Sequence, residues 1–278
     1  MNYQHKFHAG NFADAMKHII LTRILLHLAQ KPAPFRVIDT HAGAGIYALS
    51  GAEAMRTGEW RNGVARLDAP FDAACEAILA PYRAALAGFD KTRLYPGSPA
   101  LIGNALRAED RASCNEMQGE IFAELARRFK RDARFITNRL DGYLAWKAQI
   151  PPPERRGLVL VDPPFEVEDE FERMGAGLSD MGRKWPTGSA ALWYPIKVRR
   201  AAEGLEEKAR LCGFRSLAVF ELHVDALDEN GPLAACGMLV ANPPWTLVRE
   251  MTALLPALSA RLARGTTARW RADWLIES

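Results

Sequence analysis

The run Val159-Leu160-Val161-Asp162-Pro163-Pro164-Phe165 joins an apolar strand to an acid, two prolines and an aromatic ring. Proline fixes φ and has no N–H, so no helix absorbs the carbonyls of this turn and they stay free to accept hydrogen bonds. The Asp162 carboxylate and the Pro163 carbonyl are together equipped to hold the two protons of an exocyclic amine. Phe165 beside them offers a stacking face to a planar base. This is the chemistry needed to methylate an amino group conjugated to a ring, whose delocalised lone pair is a poor nucleophile. Asn242-Pro243-Pro244-Trp245 repeats the pattern after the apolar run Met238 to Ala241. Strand order separates the two turns. In a sheet begun at its centre the fourth strand lies beside the first, which puts Asp162 in the crevice of the first strand's loop. Asn242 falls near the far edge on a strand running the other way, so its turn is expected to start a helix with Trp245 packed on the core.

The first strand, Phe35 to Asp39, runs into Thr40-His41-Ala42-Gly43-Ala44-Gly45. Two glycines let the backbone pass close to a ligand where parallel strands end. The loop lacks the third glycine and helix-start spacing of a dinucleotide fingerprint, which counts against NAD. Acids at the ends of the next two strands, Glu116 and Asp141, are placed to accept from ribose hydroxyls and from an adenine amine. Each also has a simpler reading, as a solvated strand-end acid and as a helix cap. His5, His8, His18 and His41 are four of the six histidines, but their spacing matches no familiar ligand set and no cysteine supports them, so no metal is expected. Lys17 and His18 are instead expected to point from the first helix toward a carboxylate or base.

These groups need a frame. Ala13 to Gln30 reads as a helix capped by Asn11. Strands are expected at Phe35 to Asp39, Ala112 to Glu116, Arg134 to Asn138, Gly157 to Asp162, Ala190 to Tyr194, Leu217 to Leu222 and Gly237 to Ala241. Helical stretches alternate with most of them, which predicts an α/β fold with a mostly parallel seven-stranded sheet closed by one antiparallel hairpin. Between the glycine loop and Tyr95 the pattern is helical with no core strand, and a structureless loop of that length is improbable. Residues 51–95 are therefore read as an inserted helical subdomain in a domain formed by residues 1–50 and 96–278.

Composition sets the outer bounds. The 278 residues are 49% hydrophobic and 25% charged, ordinary for a globular chain. No apolar run is long enough to span a bilayer, no secretory signal opens the chain, and four scattered cysteines fit a reducing compartment; a cytoplasmic protein is expected. A net charge of +3 permits a nucleic-acid partner without requiring one. Arg127, Arg128, Lys130, Arg131 and Arg134 cluster, as do Arg183, Lys184, Lys197, Arg199 and Arg200, and again Arg261, Arg264, Arg269 and Arg271. Charge runs are usually solvated faces, but these groups are candidates for phosphate contact.

Tyr3-x-His-x-Phe-His-Ala-Gly-Asn11, the Asp39 to Gly45 loop, Tyr95-Pro-Gly-Ser-Pro99, Asp162-Pro-Pro-Phe165, Leu192-Trp-Tyr-Pro195 and Asn242-Pro-Pro-Trp245 together resemble the RlmJ family almost end to end. The resemblance implies a Rossmann-like S-adenosylmethionine-dependent methyltransferase fold with a helical insertion. It also implies transfer of a methyl group to N6 of an adenine in 23S ribosomal RNA, with protein-free RNA or an early assembly intermediate as substrate and the enzyme a monomer. By the same resemblance His18, His41 and Ser98 would touch the cofactor, Glu116 its ribose and Asp141-Gly142 its adenine. Asp162 would meet the cofactor and orient the target amine as the catalytic residue, and Tyr3 would approach the RNA. Relatives commonly carry Tyr at the place of Phe165. Two rivals share these residues: a DNA adenine-N6 methyltransferase, for which no separate DNA-recognition domain is evident, and a non-catalytic RNA-binding module, which has no need of Asp162, Gly43 and Gly45.

Overall fold

A computed structural model describes residues 4–277. Asn11 starts the first helix, α1 (Phe12–Ala29), by accepting from the Ala13 and Asp14 amides at 3.0 Å each. Fourteen of its 18 residues are buried. A helix apolar on nearly every side has to lie inside, and α1 is a core element. The chain continues through β1 (Arg36–Asp39), β2 (Ile46–Ala48), α2 (Ala52–Thr57), α3 (Ala73–Leu86), β3 (Leu94–Pro96), α4 (Ser98–Ala105), β4 (Arg111–Asn115), α5 (Gly119–Phe129) and β5 (Phe135–Asn138). It then forms α6 (Gly142–Gln149), β6 (Gly157–Val161), α7 (Glu170–Lys184), β7 (Ser189–Pro195), α8 (Arg199–Arg210), β8 (Leu217–His223), β9 (Ala235–Ala241), α9 (Leu247–Leu262) and β10 (Arg269–Ile276).

The main sheet has the order β10-β8-β9-β7-β6-β1-β4-β5. β5, β4, β1, β6 and β7 are parallel neighbours, whereas β9 runs antiparallel to both β7 and β8. The expected hairpin and the adjacency of the first and fourth strands are both present. The seven expected strands are joined by an eighth: β10 pairs antiparallel with β8 along the edge. Its Arg-Trp-Arg-Ala-Asp-Trp run alternates charged and apolar residues, the pattern of a strand with one face toward solvent. β9 lies third from that edge, further in than its sequence position implies.

Side chains alternate across the sheet. Val37, Leu158 and Leu160 join the core beneath α1, α3, α4 and α9, and Ile38, Val159 and Val161 join the core beneath α6, α7 and α8. Near-continuous apolar strands follow from burying both faces. β2 and β3 pair antiparallel, with Tyr47 opposite Tyr95, and close the chain around residues 49–93. Leu67, Cys75, Leu79 and Tyr82 from that stretch pack into the α1-side core. No helix among the described residues is long and apolar enough to cross a membrane.

Candidate active site

Parallel strands leave a crevice at their carboxyl ends, and here it is a cleft of about 1450 Å³. His18, His41, Ser98, Glu116, Asp141, Gly142, Asp162 and Phe165 all line it. Tyr3 lies outside the described residues.

The glycine loop forms one wall. Gly43 and Gly45 adopt φ of +62° and +83°, and a Cβ at Gly43 would fall 2.1 Å from the Tyr47 hydroxyl. The Gly43 amide donates to Glu116 Oε2 at 3.1 Å, and the other Glu116 oxygen accepts from the Gln118 amide at 2.8 Å. Each oxygen keeps a lone pair for a further donor. Burial raises the Glu116 carboxyl above the usual range, against the pull of those amides. The helix start missing from the linear spacing comes from across the insertion: the Gly97 amide donates to the Gly45 carbonyl at 2.8 Å, and α4 begins at the next residue. Ser98 on its first turn donates to Asp39 Oδ2 at 2.6 Å. Burial pushes the Asp39 carboxyl up to about 7 despite that hydrogen bond.

Asp141 caps α6, accepting from the Tyr143 and Leu144 amides at 3.0 Å each. Its second oxygen accepts from Arg173 at 3.0 Å. Burial alone would raise this carboxyl, but the Leu144 amide and Arg173 hold it below the usual range. A Cβ at Gly142 would meet the Thr40 carbonyl at 2.5 Å and the His41 ring at 2.6 Å, so only glycine lets α6 start against the loop. Burial depresses His41 to about 4 and His18 to about 3, so both are neutral at physiological pH. His18 shares a 2.7 Å hydrogen bond with the Tyr95 hydroxyl, which in turn lies 3.2 Å from that of Tyr82.

Asp162 follows β6, the strand paired with β1, and lines the same cleft. Lys17 Nζ on α1 donates to its Oδ2 at 2.5 Å and pairs with Asp14 Oδ1 at 2.8 Å. Lys17 thus reaches the carboxylate expected for it. Burial would lower the Lys17 ammonium, but Asp14 and then Asp162 outweigh it and hold the group well above its ordinary value. Phe165 adopts φ +53°, and its ring packs against Phe171 and Trp193 at centroid distances of 5.0 and 5.8 Å. Trp193 also lines the cleft, and Lys17 lies 6.0 Å from its ring centre. Asp14 and Arg173 were not singled out from the sequence, and Trp193 entered only as part of the Leu192-Trp-Tyr-Pro195 motif, with no role given to it. Two opposite charges three residues apart near the start of a mainly apolar helix were the available signal for Asp14.

Two expectations are corrected. Trp245 is 73% exposed instead of packed on the core, although its turn does lead into α9. The second and third basic clusters are largely paired with groups of the protein's own chain. Arg199 and Arg271 pair with Glu206 and Glu221, which are 7% and 2% exposed; Arg183 pairs with Asp180; and Arg261 and Arg264 donate to backbone carbonyls. Buried glutamates need cations. Burial would raise Glu221, but His223 and the arginines hold it at about 2. In the first cluster Arg134 pairs with Asp132, while Arg127, Lys130 and Arg131 are exposed and carry no ion pair among the described residues.

The family described as "Ribosomal RNA large subunit methyltransferase D, RlmJ" matches residues 32–276. Curated relatives named "Ribosomal RNA large subunit methyltransferase J" are 35% identical in Escherichia coli (strain K12) and 36% identical in Haemophilus influenzae, each over 99% of both chains. A crystal structure of a Legionella pneumophila protein superposes with a TM-score of 0.85 at 29% identity, covering 96% of this chain and 98% of that one.

Proposed function

The chain belongs to the RlmJ family of large-subunit ribosomal RNA methyltransferases, and from that premise we propose that Asp162 and the Pro163 carbonyl hold the N6 amine of the target adenine for methylation. The enzyme is S-adenosylmethionine-dependent and acts on 23S ribosomal RNA. The observation that carries the assignment of roles is the Lys17-held Asp162 carboxylate, aimed into the same cleft as the glycine loop. The residues present fit the cofactor. Free lone pairs on Glu116 suit ribose hydroxyls, the start of α6 at Asp141-Gly142 suits an adenine edge, and the backbone of Gly43, held at positive φ, lines the cleft between them. His18, His41 and Ser98 line the same cleft. When bound, the cofactor supplies a methyl group on a sulfonium, activated toward an amine.

The chain's own residues do the rest. Two acceptors, the Asp162 carboxylate and the Pro163 carbonyl, take the two N–H groups of the amine and draw its lone pair out of conjugation with the ring. Lys17 fixes the carboxylate, so the geometry is set before the base arrives, and positioning supplies much of the acceleration. The adenine must leave its stack, which costs a few kcal/mol, and stacking on Phe165 returns about 1–3 kcal/mol. Arg127, Lys130 and Arg131 on and beside α5 are the phosphate contacts, which makes binding salt-dependent. Tyr3 approaches the RNA. We place the reaction in the cytoplasm, carried out by a monomer on protein-free 23S RNA or an early assembly intermediate, with residues 51–95 as the inserted subdomain.

The test is transfer of labelled methyl from S-adenosylmethionine to protein-free 23S RNA taken from cells lacking the gene, with duplex DNA offered in parallel. Label in RNA, recovered on digestion as N6-methyladenosine, is the expected result. Label in DNA alone, or at another atom of the base, would overturn the reading.

A further inference from the structure

We propose that Asp14 is the positioning residue of this site: its buried carboxylate holds the Lys17 ammonium against Asp162 and fastens the Gly10 turn and His5 to the same point, without touching substrate. The inference rests on the reading of Asp162 given above.

Asp14 is 1% exposed. Its Oδ1 meets Lys17 Nζ at 2.8 Å, its Oδ2 accepts from the Gly10 amide at 2.8 Å, and His5 Nε2 lies 3.0 Å from Oδ2. Lys17 reaches on from Asp14 to Asp162 at 2.5 Å. Positions three apart on a helix share a face, so Asp14 and Lys17 are held side by side by α1 itself. An isolated buried ammonium is costly, and flanking it with two carboxylates is what lets it stand at the cleft wall as a cation.

A plainer role exists. Asp14 is the third residue of α1, where an acid often reaches back to cap the helix start. A capping acid, however, needs one oxygen for that work. Here one oxygen takes the Gly10 amide while the other faces Lys17 and through it the active site. With Asp14 neutral, Lys17 would direct its whole charge at Asp162 and compete with the target amine for that carboxylate. The loss should therefore fall on turnover and not on cofactor affinity.

A double-mutant cycle separates the two roles. Asp14→Asn is expected to lower kcat by about 30-fold, with the RNA KM and the cofactor Kd changed by less than about threefold. The same replacement in a Lys17→Met chain should change kcat by less than about threefold, because the group it positions is gone. Equal factors in the two backgrounds, in step with a fall in melting temperature, would mean capping alone and overturn the proposal. So would full activity of Asp14→Asn. If Asp14→Asn alone does not fold, the doubly substituted chain, which buries neither charge, is compared with Lys17→Met; a further fall of about 30-fold there also overturns it. Near-normal turnover of Asp162→Ala would instead remove the reading of Asp162 itself.

Discussion

Two turns of nearly the same sequence sit at opposite ends of one sheet. Asp162-Pro-Pro-Phe165 follows β6, which runs parallel to β1, and Asn242-Pro-Pro-Trp245 follows β9, which runs against its neighbours. Register makes the separation concrete: Val161 pairs with Leu192, while Ala241 pairs with Ala190 nearer the start of the same strand β7. Both turns place a residue at positive φ, Phe165 at +53° and Asn242 at +47°. Their polar groups are used differently. Asp162 faces a cation and a cleft, whereas the Asn242 amide donates to the Pro186 and Gly188 carbonyls at 2.8 Å each. Phe165 is packed among aromatic rings, and Trp245 stands in solvent beside Arg249. A turn acquires chemistry from the direction of the strand that carries it; the same residues at the other end serve to tie loops together.

The contrast can be broken in four ways. Asp162→Ala should lower single-turnover methyl transfer by about 10³-fold while cofactor affinity, measured by calorimetry, stays within a small factor. Phe165→Ala should cost about 10-fold in kcat/KM through lost base stacking, and Trp245→Ala nothing measurable in the same assay. Asn242→Ala should leave kcat unchanged yet lower unfolding free energy by about 2 kcal/mol in urea titrations, from two lost hydrogen bonds and a non-glycine residue forced to positive φ. The smallest effect concerns pH. The native state holds the Asp39 proton up to about 7, whereas the unfolded chain releases it near the ordinary carboxylate value. That contribution is fully present at low pH and is lost as pH rises through about 7. Melts of Asp39→Asn and the parent chain should therefore diverge in the variant's favour as pH is raised from about 5 to 8; a constant difference would contradict the raised carboxyl.

The strands and helices that carry the site were readable from the sequence, because apolar runs of period 2 and 3.6 bounded by Gly, Pro and Asn leave little choice. So was the convergence of Glu116, Asp141 and Asp162 on one cleft, since each ends a parallel strand. β10 was missed although Arg269 to Trp274 alternates charged and apolar residues with the period of a half-buried strand, because Arg269 and Arg271 were read as part of a basic cluster instead. The β2–β3 pair was not readable, because three-residue strands leave no period to detect. Trp245 was misplaced because an aromatic residue at a helix start is usually buried, and nothing local records that its side chain faces outward. Arg199 and Arg271 read as parts of two basic clusters because tertiary folding alone brings Glu221 of β8 to both of them and Glu206 of α8 to Arg271; only Arg199 and Glu206 share a helix. Asp14 was not singled out: Lys17 lies one turn along the same helix, but the Asp162 carboxylate that Lys17 also meets lies far along the chain, where spacing carries no information.

The most direct test restores the motif at the wrong end. A chain carrying Asp162→Ala together with Asn242→Asp again contains one complete Asp-Pro-Pro-aromatic turn, now after β9. With folding verified by circular dichroism and cofactor at saturation, single-turnover transfer to 23S RNA should be as low as in Asp162→Ala alone. Recovery of transfer would contradict the claim that strand direction, and the Lys17-held carboxylate it creates, makes this turn the active one.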